Sequence, residues 1–494
     1  MPDWVTSLPA VLTALLTLTH VVVCVLALGV FPGSRKPSTA MAWLILVLAV
    51  PYFGFLVFLL FGRTSVGRKR REWQLDVNRQ VVAALEAEAP DRPAVNVPDD
   101  VRGLAHLNQN LGALPLTSDN TVEITTDYPG CFEAMRREVE AAEKFVHVQF
   151  YISAWDEMTG PFFESLAAAA ERGVDVRFLF DHLGSRGIPG YQDMISKLEA
   201  TKIVWAPMLP VRPLKGEFRR PDLRNHRKIL VVDGRVGFAG SQNLTEPGYN
   251  KPKNHKLGRK WVELMTRVEG PVVRQLNLVF VTDWYSETDE NLRSTLEPAP
   301  VASAPTGVAV GGVGAQVVPS GPGFATENNL RLFNSMLYAA ERRLSLTSPY
   351  FVPDESLLYA VTTAAQRGVD VELFVSATAD QFMVHHAQRS YYDALLTAGV
   401  RIWLYPEPNV LHAKHFTVDD TLAVIGSSNM DMRSFALNYE VVLMLTGTEV
   451  VQRLSEVQDT YRSLSTELTL EEWRTRTWGA KYVDNVMRLT AALQ

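Results

Sequence analysis

Residues 226–243 read HRKILVVDGRVGFAGSQN and residues 412–429 read HAKHFTVDDTLAVIGSSN, so one chain carries the same chemical pattern twice, nearly two hundred positions apart. In both, Lys follows His by two residues, Asp by seven, a Gly-Ser pair by fourteen and fifteen, and Asn by seventeen. The positions are His226, Lys228, Asp233, Gly240, Ser241 and Asn243, then His412, Lys414, Asp419, Gly426, Ser427 and Asn429. The copies continue upstream: AAEKFVHVQFYISAWDE (141–157) matches AAERRLSLTSPYFVPDE (339–355), and ERGVDVRFLF (171–180) matches QRGVDVELFV (366–375). A duplication of this extent dictates two equivalent folding units. Each reads as a helix ending in Ala-Ala-Glu, a strand, a helix, an Arg-Gly-Val-Asp turn, a strand and a His-bearing hairpin. That alternation is the pattern of an α/β fold, a mixed sheet flanked by helices. Two tandem domains are expected at 126–296 and 321–494, joined by a Pro/Gly/Ala-rich linker at 297–320.

The N-terminal region obeys another solvent. Residues 8–31 and 41–61 contain no Asp, Glu, Lys or Arg, and at 1.5 Å rise per residue each is long enough to cross a hydrocarbon core about 30 Å thick. A two-span membrane hairpin is expected within residues 1–72, followed by a juxtamembrane or linker region at 73–125. Arg35 and Lys36 lie between the spans, whereas Arg63, Arg68, Lys69, Arg70 and Arg71 follow the second. The positive-inside rule then predicts a multi-pass cell-membrane protein with both termini and the catalytic domains in the cytoplasm. Residues 1–75 hold 7 Lys/Arg against 2 Asp/Glu, leaving 41 basic and 52 acidic residues elsewhere. An acidic balance argues against a nucleic-acid partner, whose affinity rests on phosphate neutralisation. The local exception is Arg212, Lys215, Arg219, Arg220, Arg224, Arg227 and Lys228, expected to face an anionic head group. Cys24 and Cys131 are an unpromising disulfide pair, no Cys/His cluster has zinc spacing, and no metal is expected. Near the C-terminus, Trp478, Tyr482, Val486 and Leu489 recur at helical spacing, a stripe expected to pack on the parent domain.

The repeated residue types suit phosphate chemistry. Alternation at the entry of a strand sends His and Lys to one face, pairing an imidazole with a fixed cation. The Gly-Ser-x-Asn ends are expected to let backbone approach a ligand, with Ser241, Asn243, Ser427 and Asn429 as donors. One half-site has a single group for proton traffic; two facing half-sites supply a nucleophile and an acid/base for phosphodiester exchange without a metal or cofactor. Asp233 and Asp419 belong to the motif but sit at strand ends, where turn or ion-pair roles are expected rather than proton transfer. His415 should leave the His/Lys face, to lie behind the site or at the surface.

The paired HxKx4D and GSxN motifs resemble the phospholipase D superfamily. With the apolar N-terminal hairpin and the run from Gly426 through Asn429, Asp431, Arg433, Ser434, Phe435 and Asn438 to Glu440, the chain is similar to the bacterial cardiolipin synthase family. The resemblance implies transfer of a phosphatidyl group between two phosphatidylglycerol molecules through a phosphohistidine, releasing glycerol, with a membrane-bound phospholipase D-type hydrolase or another phosphatidyltransferase as the alternative. It implies His226 as nucleophile and His412 as general acid/base. It also implies that Glu440, 28 residues after His412, accepts a hydrogen bond from that His, with Glu263 as its first-half counterpart. The oligomeric state stays open.

Overall fold

A computed structural model divides the chain into two units, Met1–Ser65 and Val66–Gln494. It describes residues 3–30, 37–62, 72–73, 76, 83, 97–212, 217–218, 220–297, 309–324, 327–378 and 380–490. The basic flanks Arg35, Lys36 and 63–71, the basic residues Lys215 and Arg219, and residues 298–308 of the expected linker lie outside these residues, whereas its end, Val310–Ser320, is a strand.

In the first unit the helix Asp3–Val30 contains a 20-residue apolar stretch, Val11–Val30, long enough to cross a membrane. The second expected span, 41–61, is not one helix. Pro37–Ala49 and Pro51–Phe61 are separate helices broken at Val50, whose backbone (φ −138°, ψ 76°) leaves the helical region. Proline lacks the N–H that would continue the ladder, and it disfavours helical backbone in the residue before it. Residues equidistant from the break face each other: Trp43 meets Phe58 edge to face at 5.4 Å. A Cβ on Gly54 would lie 2.7 Å from the Leu46 carbonyl oxygen. Residues 37–61 therefore fold back on themselves as a tight helical hairpin whose arms, of 13 and 11 residues, are each too short to span.

The larger unit is built on a fifteen-stranded mixed sheet. The first half supplies β1 (Thr117–Thr125), β2 (Phe145–Phe150), β3 (Asp175–Asp181), β4 (Val204–Met208), β5 (Ile229–Val232), β6 (Val236–Gly240) and β7 (Met265–Glu269). The second supplies β8 (Val310–Ser320), β9 (Arg343–Thr347), β10 (Asp370–Ser376), β11 (Arg401–Tyr405), β12 (His415–Val418), β13 (Leu422–Gly426) and β14 (Glu440–Thr446), with β15 (Thr466–Leu468) at one edge. The order is β15-β11-β10-β9-β12-β13-β14-β8-β1-β7-β6-β5-β2-β3-β4. Read outward from the antiparallel β1–β8 pair, both halves repeat one sequence of strands, so the duplication in the residues is a duplication in space.

The joint was assigned differently from sequence. β1, at its centre, and the helix Asp99–Asn110, which buries Val101, Leu104 and Ala105 in the second half's core, both fall in the stretch read as juxtamembrane or linker. Asn120 holds the joint, donating from Nδ2 to the carbonyls of Thr117 and Val313, each at 3.0 Å.

Within each half the repeated segments fold alike. Helix Tyr128–Glu140, β2, helix Gly160–Glu171 and β3 match helix Asn328–Ala339, β9, helix Glu355–Gln366 and β10. The Arg-Gly-Val-Asp turns place Gly173 and Gly368 at φ 92°, a left-handed conformation that a Cβ makes costly. Strand alternation divides the apolar residues between two faces. Ile229 and Val231 join Ala423 and Ile425 under the helices Val272–Thr288 and Thr448–Leu464, in one core common to both halves. Leu230 and Val232 pack in a first-half core around Phe163 and Phe178, and Leu422 and Val424 in a second-half core around Phe333 and Leu346.

The C-terminal helix, Trp478–Arg488, forms as expected but with its faces reversed. Asp484 is buried and Met487 packs against the second core, whereas Trp478 is 78%, Tyr482 55% and Leu489 85% exposed.

Candidate active site

Two Asp-containing turns set up the site. In the first half Asp233 (φ 54°) and Gly234 (φ 66°) turn the antiparallel β5–β6 hairpin, as Asp419 (φ 50°) does for β12–β13. The Asp233 carboxylate accepts backbone N–H groups of Glu143, Lys144 and Phe145 at 2.8–2.9 Å. Asp419 does the same for Glu341, Arg342 and Arg343 at 2.7–3.0 Å. Each Asp ties the far end of its hairpin to the start of the neighbouring strand, a turn role, and takes no part in an ion pair with the motif lysine.

The opposite end of each hairpin carries His and Lys, and there the halves interlock. The His226 N–H donates to the Tyr439 carbonyl at 2.9 Å, and the His412 N–H to the Val262 carbonyl at 2.8 Å. Val410 and Leu411 pair in parallel with Trp261 and Val262. Each His segment is thus clamped against a strand of the other half. The consequence corrects the expected partnership of Glu440 with His412. Glu440 lies 3.0 Å from Nδ1 of His226, and Glu263 lies 2.7 Å from Nδ1 of His412. Every carboxylate serves the imidazole of the opposite copy.

Both histidines are almost enclosed, at 7% and 6% exposure. Burial drives His226 down to about 4, against the pull of Glu440 and with the push of Lys228. It lowers His412 too, opposed by Glu263 and aided by Lys414. Burial alone would raise the two carboxyls, but His226, Lys228 and the Ser427 hydroxyl hold Glu440 below its usual range, and His412, Lys414 and Ser241 do so for Glu263. Ionised carboxylates beside neutral rings place the ring proton on Nδ1 and the lone pair on Nε2. Lys414 Nζ also lies 3.0 Å from Nδ1 of His412. Because Glu263 requires a donor there, that ammonium donates to the His412 carbonyl instead. Lys228 likewise donates to the His226 carbonyl at 2.6 Å.

The two ammonium groups are fully buried with few anions around them. Burial, then repulsion from Lys414, brings Lys228 down to about 7, and burial brings Lys414 down to about 8. An anion entering the site favours the charged form of both. Above these values it must recruit protons to bind, so KM for an anionic substrate is expected to rise between about pH 7 and pH 9, by up to about tenfold per unit for each lysine, with kcat less affected. A KM that stays flat across that interval would contradict the arrangement.

The glycine and serine roles differ from expectation. A Cβ on Gly240 or Gly426 would lie 2.4 Å from the carbonyl oxygen of Leu264 or Val441, so the close approach is to the next strand and not to a ligand. Ser427 donates its hydroxyl to Glu440, and Ser241 bonds the Leu264 backbone at 3.0–3.1 Å. Asn243 accepts from the Ile152 N–H and donates to the Tyr249 hydroxyl at 2.7 Å. Asn429, also buried, leaves its Oδ1 without a partner among the described residues.

Sequence reading missed Tyr151, whose ring lies 4.8 Å from that of His226 and under Lys228, and Tyr350, 6.4 Å from the His412 ring. Both follow the repeated strand in QFYIS and SPYFV, the signal that would have found them. His415 is buried, driven by burial to about 3, and turns toward Gln458 and Tyr461 behind the site, not to the surface. The basic cluster also dissolves in part: Arg224 pairs with Asp181 at 3.0 Å and Arg227 with Asp283, all four buried, and Arg220 pairs with Asp222.

A duplicated mixed sheet whose halves present two His-x-Lys segments to one enclosed site defines a phospholipase D-like protein. A family model described as "Cardiolipin synthase, PLD-like domain" matches residues 135–284 and 333–460, and one described as "Phospholipase_D-nuclease N-terminal" matches residues 16–63. The chain belongs to the phospholipase D-like family of cardiolipin synthases. It is 33% identical over 445 residues to cardiolipin synthase A of Proteus mirabilis, covering 90% of each chain. It is 35% identical over 472 residues to the cardiolipin synthase of Geobacillus kaustophilus, covering 95% of this chain and 91% of that one. The crystal structure of a phosphatidylserine synthase from Haemophilus influenzae has the same fold, with TM-score 0.59 and 13% identity over 81% of this chain and 100% of that one.

Proposed function

We propose that the chain is a membrane-associated phosphatidyltransferase that makes cardiolipin from two phosphatidylglycerol molecules. The observation that carries this reading is the pair of enclosed imidazoles, each held at Nδ1 by a carboxylate of the opposite half beside a buried ammonium. In this reading the bound anionic phosphodiester and Glu263 stabilise an imidazolium at His412; His226 Nε2 bonds to phosphorus as the bond to the glycerol leaving group breaks, and the Nε2–H of His412 gives that oxygen its proton. The terminal hydroxyl of a second phosphatidylglycerol then returns a proton to His412 and attacks phosphorus, and His226 leaves. Lys228 and Lys414 hold the charge on the non-bridging oxygens.

In this reading the catalytic unit lies in the cytoplasm, because Arg35, Lys36, Arg63, Arg68, Lys69, Arg70 and Arg71 all follow the long apolar helix in sequence and such flanking cations favour the cytoplasmic side. Purified full-length protein given phosphatidylglycerol in detergent is expected to release cardiolipin and glycerol in equal amounts. Phosphatidic acid as the main product would indicate a hydrolase, and no turnover by folded protein would overturn the reading.

A further inference from the structure

Beside the catalytic cleft, two helices of the second half carry an apolar surface that the protein's own packing leaves uncovered. On Phe382–Arg389, Phe382 is 64% and Met383 42% exposed. On Trp478–Arg488, the exposed face holds Trp478 and Tyr482, stacked at 5.2 Å, and Leu489 follows. The two helices are pinned by a buried Asp484, which pairs with His386 at 2.7 Å and with Arg476 at 2.5 Å. Arg488 lies over the Tyr391 ring at 4.5 Å. Asp484 against His386 and Arg488 against Tyr391 require the helices to run in the same direction, so Phe382 and Met383 share an end with Trp478 and Tyr482.

The charge around this surface is mainly basic. From Arg474 to Leu489 the exposed charges are Arg474, which faces Asp393 at 3.7 Å, Lys481 and Arg488, and the single acid, Asp484, is buried in its ion pairs. The helix Phe382–Arg389 carries no acid; its His386 and Arg389 face Asp484, and burial drives His385 down to about 4, which leaves it neutral. Amphipathic Trp and Tyr rings between apolar side chains and cations match the boundary between lipid head groups and acyl chains. The surface also reaches the site. Asp380 and Gln381, immediately before Phe382, bond the Tyr350 hydroxyl at 2.5 and 3.0 Å, and the Tyr350 ring faces His412.

We propose that Phe382, Met383, Trp478, Tyr482 and Leu489 form a docking surface for an anionic phospholipid bilayer, seating the mouth of the catalytic cleft on the membrane from which its substrate is drawn. The assignment takes the lipid substrate from the proposed function, but contact with the bilayer is read without turnover, so the two fail separately.

The test uses the full chain in vesicles of phosphatidylglycerol and phosphatidylcholine, with an environment-sensitive fluorophore on Y482C in a C24A background. Cys131 is fully buried. Lipids bearing a shallow quencher are expected to quench the probe, and more strongly at higher phosphatidylglycerol content. The triple variant W478A/Y482A/L489A is expected to lose about tenfold in kcat/KM on vesicles, while turnover of a monomeric short-chain phosphatidylglycerol stays unchanged. A probe quenched only by aqueous reagents would overturn the proposal. So would protection of the probe by a second copy of the chain, shown by cross-linking through Y482C, or a triple variant equally active on vesicles.

Discussion

Replacing His226 with Ala is expected to reduce phosphatidyl transfer by about 10⁴-fold or more, because in the proposed mechanism it forms the covalent intermediate and has no substitute in an enclosed site. His412→Ala is expected to be similarly inactive in steady state, yet the two should part when the leaving group needs no proton. With a phospholipid carrying a nitrophenyl leaving group and labelled phosphorus, H412A is expected to accumulate labelled protein and H226A none. The crossed hydrogen bonds extend this test. E440Q, which loosens His226, is expected to impair labelling as H226A does, by about 10²–10⁴-fold, whereas E263Q should resemble H412A. Labelling that survives in E440Q and fails in E263Q would reverse the roles of the two histidines.

The second large effect is on stability. Arg227, next to His226, is buried with Asp283, and its guanidinium also donates to the carbonyls of Glu440 at 3.0 Å and Ser320 at 3.2 Å. Gln149 donates to the same Asp283 carboxylate at 2.6 Å. Asp283→Ala leaves a guanidinium enclosed without a counter-charge, and a loss of about 3–5 kcal/mol is expected in denaturant unfolding. Removing both charges in R227M/D283L should recover much of that loss, since the penalty lies in the unpaired ion and not in the absent bond. Equal destabilisation in the single and double variants would show that packing around Asp283 matters more than its charge.

The difference between what could be read from residues and what could not follows from distance along the chain. Repeated strings such as Arg-Gly-Val-Asp report local geometry, because a left-handed Gly after a helix is needed in both copies. The hairpins were legible for the same reason: Asp-Gly and Asp-Asp turns close them. Which carboxylate meets which imidazole is set by strands of opposite halves lying side by side at 261–262 with 410–411 and at 225 with 439, and no local pattern encodes that pairing. β1 was missed because seven of the nine residues in TSDNTVEIT are polar, leaving only Val122 and Ile124 as an apolar signal, while the Asn120 hydrogen bond to Val313 that holds it in place is non-local. Pro51 did announce the break in the second apolar stretch, but hydropathy outweighed it in the sequence reading. The reversed C-terminal stripe has another cause: a buried Asp484 with His386 and Arg476 outcompeted the aromatic side chains for the protein surface.

The exchange of carboxylates between copies bears on how such a chain can change over time. Each half lacks the acid that tunes its own ring, so neither is a spare that can drift while the other keeps working. A substitution at Glu440 is felt first at His226, across the joint, and its repair must be sought there. Splitting the chain just before β8 into two polypeptides would yield fragments inert apart and competent only once reunited.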